Sequence, residues 1–197
     1  MTAPQNKGAR RMGFSPKITL ITALMLLAAC RSEPVHYHTL MPQQTGGAAH
    51  SNGMYIEFDA VSVPAQVDRT QIVIRQGNSG LVLLETDWWG ASLSEELQSA
   101  LAAQLINANP PRKLSLRVEV QRFDSVPGQY GLIEATWRLR GIGEGNVSSL
   151  TCHSTLQTPS ATSIEDLVAA QQNNVKRLAA VIGQAARGSQ QSCPSSG

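Results

Sequence analysis

The chain has 197 residues, 42% of them hydrophobic and 15% charged, with 16 basic against 14 acidic side chains and three cysteines. That length suits one domain with a real core. The formal charge of +2 belongs to the first 29 residues, where Lys7, Arg10, Arg11 and Lys17 stand without an acid, so the remaining 168 residues (12 basic, 14 acidic) present no basic surplus for nucleic acid.

The N-terminus reads as a targeting segment. After the positive residues comes an apolar stretch from Ile18 to Ala29, 12 residues long. A membrane span needs about 20, so this run fits a signal-peptide core instead. It ends in Leu27-Ala28-Ala29-Cys30, which resembles a bacterial lipobox, where the cysteine is acylated and becomes the new N-terminus. The alternatives are an ordinary secretory signal with a chance cysteine and, weaker still, a twin-arginine signal at Arg10-Arg11, which lacks the apolar residues expected straight after the pair. Acylation of Cys30 by more than one chain, for instance palmitate, makes the anchor close to permanent at roughly 0.8 kcal/mol per buried methylene. The expected division is a signal peptide over 1–29, a periplasmic domain over 30–186 and a polar tail over 187–197. No later apolar run is long enough to span a bilayer.

In chain order, residues 35–40 suggest a short strand, and the Gly-rich stretch 41–54 a loop. "YIEFDAVSVP" and "TQIVIR" read as strands flanking a turn at Pro64, and residues 81–84 as a further strand joined through "QGNSG". A helix is expected from Ser92, where Ser92 and Glu95 have capping-box spacing and Leu93, Leu97, Ala100, Leu101 and Leu105 share one face. "NANPP" stops it. In 113–121 and 133–140, apolar and polar residues alternate strictly, the mark of a sheet with one buried and one wet face. Leu150, Cys152 and Leu156 continue the meander as a third strand. A long helix follows over 163–186, with Thr162 and Glu165 as its capping pair and Ile164, Leu167, Val168, Val175, Leu178, Ile182 and Ala185 as its apolar stripe. The expected fold is one α+β domain, an antiparallel sheet covered on one face by two helices.

Little in the chain suggests catalysis. His36, His38, His50 and His153 show no metal-ligand spacing, no nucleophile elbow is present, and no cofactor motif appears. The adjacent Trp88 and Trp89 cannot both face a core from a short loop. One is expected inside, and the other either caps the helix start or meets a partner or lipid. Asp68, Arg69 and Arg75 read either as surface charge or as a group fixing the turn after Pro64. In an oxidising compartment, with Cys30 acylated, Cys152 and Cys193 are each other's remaining partners, so a disulfide is expected, against a buried thiol at Cys152 with Cys193 free or paired between chains.

The lipobox, "HYHTL", "VSVPAQVDRTQIVIR" and a Trp before "LSEELQSALAAQL" occur here in one order. In this the chain resembles the ABC-type transport auxiliary lipoproteins, a PqiC-like family. Tyr37, Thr39 and Leu40 match its aromatic-Thr-Leu start, with His38 in place of an aromatic. Pro64, Asp68, Arg69, Gln71, Ile72, Val73 and Arg75 match its second motif, with Thr70 replacing a proline. The resemblance implies a non-enzymatic outer-membrane lipoprotein that works with an MCE-domain periplasmic protein and an inner-membrane permease. Its role would be to dock the conduit for phospholipid or other hydrophobic cargo and so support envelope integrity. Association between copies is compatible with this. The competing readings are a structural envelope lipoprotein and a membrane-tethered periplasmic enzyme.

Overall fold

Alternating apolar residues assemble the largest sheet. The computed structural model describes residues 33–41, 56–106, 108, 110, 113–143, 148–188 and 192–194. Contacts divide the chain into Met1–Pro34 and Val35–Gly197, and all elements below belong to the second unit. Strands β5 (Leu114–Val126), β6 (Tyr130–Gly141) and β7 (Ser149–Pro159) form an antiparallel meander. Leu116, Val118, Ile133, Ala135, Trp137, Leu139, Cys152 and Leu156 all point to the core face. The indole N–H of Trp137, which is completely buried, donates to Ser154 Oγ at 3.0 Å, so its one polar group is satisfied inside. A register shift between Val120 and Arg122 breaks the alternation, and Phe123, Asp124, Ser125 and Val126 are then buried in succession.

The edge strand β2 (Ile56–Ser62) joins β5 in parallel, completing a four-stranded sheet of order β2-β5-β6-β7. A second sheet has the order β1-β4-β3, built from β1 (His36–His38), β3 (Gln71–Gln76) and β4 (Gly80–Trp89). Here β3 and β4 form a hairpin whose turn uses Gly77 at φ +60°, and β1 lies parallel to β4. The α+β class stands, but the single antiparallel sheet expected from the sequence is corrected to two mixed sheets. Alternation tells which face is buried; it carries no information on strand direction. Parallel pairs arise because β2 and β5 are joined by a long crossover through β3, β4 and a helix.

Helix α1 (Leu93–Leu105) packs on β2 and on helix α2 (Ile164–Arg187), which itself lies across β5, β6 and β7. The apolar stripes expected from the 3.6-residue period are the buried ones, apart from the half-buried Ile164, and each fully buried leucine adds about 2–3 kcal/mol. At the start of α1 the Glu95 carboxylate accepts from the Ser92 N–H (3.2 Å) and hydroxyl (2.8 Å), as the capping-box spacing suggested. At α2 the cap is one residue later than expected. Ser163, not Thr162, accepts from the Asp166 N–H at 3.1 Å. Among the described residues no helix is long and apolar enough to cross a membrane.

Candidate functional site

The N-terminal segment is fastened to the domain by side chains from both helices. Glu96, buried in the first turn of α1, accepts at one carboxylate oxygen from the Thr39 hydroxyl (2.7 Å) and the Leu40 N–H (2.9 Å). Gln172 on α2 donates to the Thr39 carbonyl at 2.8 Å. Gly90 donates to the His38 carbonyl, and His38 Nε2 lies 2.9 Å from Asp87. Sequence reasoning passed over Glu96 in favour of Glu95. Its signal was legible all the same: Glu96 sits within the buried stripe between Leu93 and Leu97, where an acid needs a partner.

"DWWG" is not a loop. The two tryptophans close β4 and so project to opposite faces. Trp89 is 3% exposed and meets Phe123 edge-on at 6.4 Å. Trp88 is half-buried, opposite Tyr37 of β1, and the two rings stand edge to face at 6.4 Å. Tyr37 is 69% exposed, and Val35, Leu81 and Leu83 are exposed as well.

The charged residues of the second motif serve separate elements. Asp68 accepts from the Ser94 N–H (3.1 Å) at the start of α1, so the turn begun at Pro64 is tied to the helix and an anion sits at its positive end. Arg69 Nε is buried without a hydrogen-bond partner among the described residues. Arg75 donates twice to Asp124 (3.2 and 3.0 Å), whose side chain is only 5% exposed and also receives Arg122. Arg122 continues to Glu134, which lies 3.4 Å from His153. The hydrogen bond it donates to Asp124 is the largest influence holding the Arg122 guanidinium above its ordinary range; burial opposes it, and the charges of Asp124, Glu134 and Tyr130 assist. This chain of ion pairs ties the two sheets together.

The face of the four-stranded sheet away from the helices is polar. At one end Arg117 and Arg138 are direct cross-strand partners, with Arg140 beside them. They line a shallow groove of about 630 Å³ in which, among the described residues, Asp59, 2.7 Å from Arg117, is the lining acid. At the sheet's β7 side, Cys152 and Cys193 are joined by a disulfide, which brings the C-terminal segment against the strand. His36 is exposed, and His50 and Cys30 lie outside the described residues. Among the described residues no three His, Cys, Asp or Glu side chains gather as a metal site would require.

The model of the ABC-type transport auxiliary lipoprotein component family matches residues 38–183, from the clamped N-terminal segment to the last turns of α2. Two solved structures share the fold. One is an uncharacterized protein, 18% identical at a TM-score of 0.59, covering 77% of this chain and 98% of its own. The other is a Xanthomonas campestris protein of the DUF330 family, also 18% identical, at a TM-score of 0.54, covering 66% and 82%. No curated protein matches significantly. The family is defined by an auxiliary lipoprotein role in ABC-type transport and not by a reaction, and with the match spanning most of its length this chain belongs to the ABC-type transport auxiliary lipoprotein family.

Proposed function

We propose that this protein is the outer-membrane anchor of an intermembrane transport system, docking an MCE-domain protein that bridges the periplasm. The observation that carries the reading is the family match over residues 38–183, which begins eight positions after the lipobox cysteine. Residues 1–29 are removed, Cys30 is acylated, and Arg31 in place of an aspartate directs the lipoprotein outward. The domain then holds the outer end of a conduit through which phospholipid or another hydrophobic cargo crosses. It works by binding and positioning. Asp68, Arg69, Arg75 and the tryptophans shape the part of the domain that meets its partners, chiefly by fixing the turn, the helix start and the junction of the sheets.

Four measurements test this. Mass spectrometry of the mature N-terminus should find acyl mass on Cys30, and Cys30→Ala should release the protein from the outer membrane. Co-purification from membranes should recover an MCE-domain protein. Recovery of the lipoprotein alone, with unchanged lipid distribution in a deletion strain, would favour a purely structural envelope role.

A further inference from the structure

We propose that the surface formed by Tyr37 and Trp88 lies in the headgroup layer of the membrane that holds Cys30, so that the domain is oriented as well as tethered. This rests on the lipid-anchor reading above. The first observation is the surface itself. Tyr37 is the most exposed large hydrophobic residue among those described, and its ring abuts Trp88 on the neighbouring strand. The Trp88 indole N–H donates to the Glu85 carbonyl at 3.0 Å, which holds that ring in place. Val35 just before β1, and Leu81 and Leu83 on β4, are exposed as well. Here one ring is exposed and the other half-buried, and rings with an apolar body and a polar tip suit the boundary between acyl chains and headgroups.

The second observation is the tether. Seven residue steps separate Cys30 from Tyr37. Fully extended, they reach about 25 Å at most. A body of this chain length has a radius of gyration of about 15 Å, hence a diameter greater than that reach. The tether ends at β1, because Glu96, Gln172 and the pairing with β4 fasten residues 36–40 to the domain. The side bearing β1 therefore stays against the bilayer, and that side carries the aromatic pair. The acyl chains supply attachment; the rings fix which way the domain faces.

The test uses the full acylated protein in vesicles of phosphatidylethanolamine and phosphatidylglycerol whose acyl chains carry bromine, with tryptophan fluorescence as the readout. Of the three tryptophans, Trp89 and Trp137 are buried in the core, so Trp88 is the one the bromines can reach. Part of the fluorescence should be quenched, and that part should vanish in Trp88→Phe while both proteins still sediment with the vesicles. Tyr37→Ala, a change at an exposed ring, should lessen the quenching without changing thermal stability. A protein that sediments with vesicles yet shows equal fluorescence in brominated and ordinary lipid overturns the proposal alone. One that fails to sediment refutes the lipid anchor and this proposal with it. Shielding of Trp88 that follows protein concentration in detergent assigns the surface to a second copy and likewise overturns it.

Discussion

Glu96 shows how much one side chain can hold. Its carboxylate is the acceptor for the Leu40 N–H, and Leu40 is 1% exposed, so no water replaces the bond if it is lost. Glu96→Ala should cost about 1–3 kcal/mol in urea unfolding, the penalty for an orphaned buried donor, and should speed amide exchange at Leu40 more than elsewhere. Asp124 is a comparable case with two cationic partners. Asp124→Asn should cost about 1–3 kcal/mol, since Arg75 and Arg122 are open enough to solvent to be rehydrated once released. Arg122 is raised above its ordinary range in the folded protein, so its contribution is complete below that range and lost only as pH climbs through the raised value. The difference between Asp124→Asn and wild type should therefore not decline between about pH 8 and 10, where Arg122 keeps its proton. The tryptophans separate on the same measurement. Trp89→Ala should cost about 3–5 kcal/mol and Trp88→Ala about 1, because only the first leaves a core cavity.

At the scale of elements, α2 does more than lay an apolar stripe on a sheet. Gln171 and Asn174 are fully buried within that stripe. Gln171 donates to the Asp124 carbonyl (2.8 Å), and Asn174 donates to the Gly131 carbonyl (2.9 Å) and accepts from Thr158 (2.7 Å). These bonds set the helix's position along β5, β6 and β7. A Cβ at residue 131 would sit 2.9 Å from the Gln171 side chain, so Gly131→Ala should destabilise by about 1–3 kcal/mol by forcing the helix outward. The disulfide acts at the other side of β7. It closes a span of 41 residues around α2, and Cys193→Ser should lower stability by about 2–4 kcal/mol, a difference that reductant abolishes. Much of this level was readable beforehand. The alternation in β5 and β6, the two apolar helix stripes and the Ser92–Glu95 cap follow from period and spacing alone. The Gln171–Asn174 notch was not readable, because two amides in a polar-looking "QQNN" look like surface until a strand's carbonyls are brought beside them. The strand direction of β1 and β2 and the strand placement of Trp88 and Trp89 also escaped, since both depend on pairings that no local pattern encodes.

For the molecule as a whole, those two parallel pairings are the feature with the furthest reach. Each joins residues more than fifty positions apart, β1 to β4 and β2 to β5. A chain that emerges from its N-terminus presents β1 and β2 first, yet neither can find its neighbour until a long stretch behind it has followed. The two leading strands thus remain bare edges for much of the time the polypeptide is appearing. Such remote closures also make folding slow, on the millisecond-to-second scale of sheet-rich domains. A fragment ending at residue 112 lacks β5 to β7 and α2; it should show no cooperative melting by circular dichroism, and the full chain should refold as one slow phase in stopped-flow fluorescence.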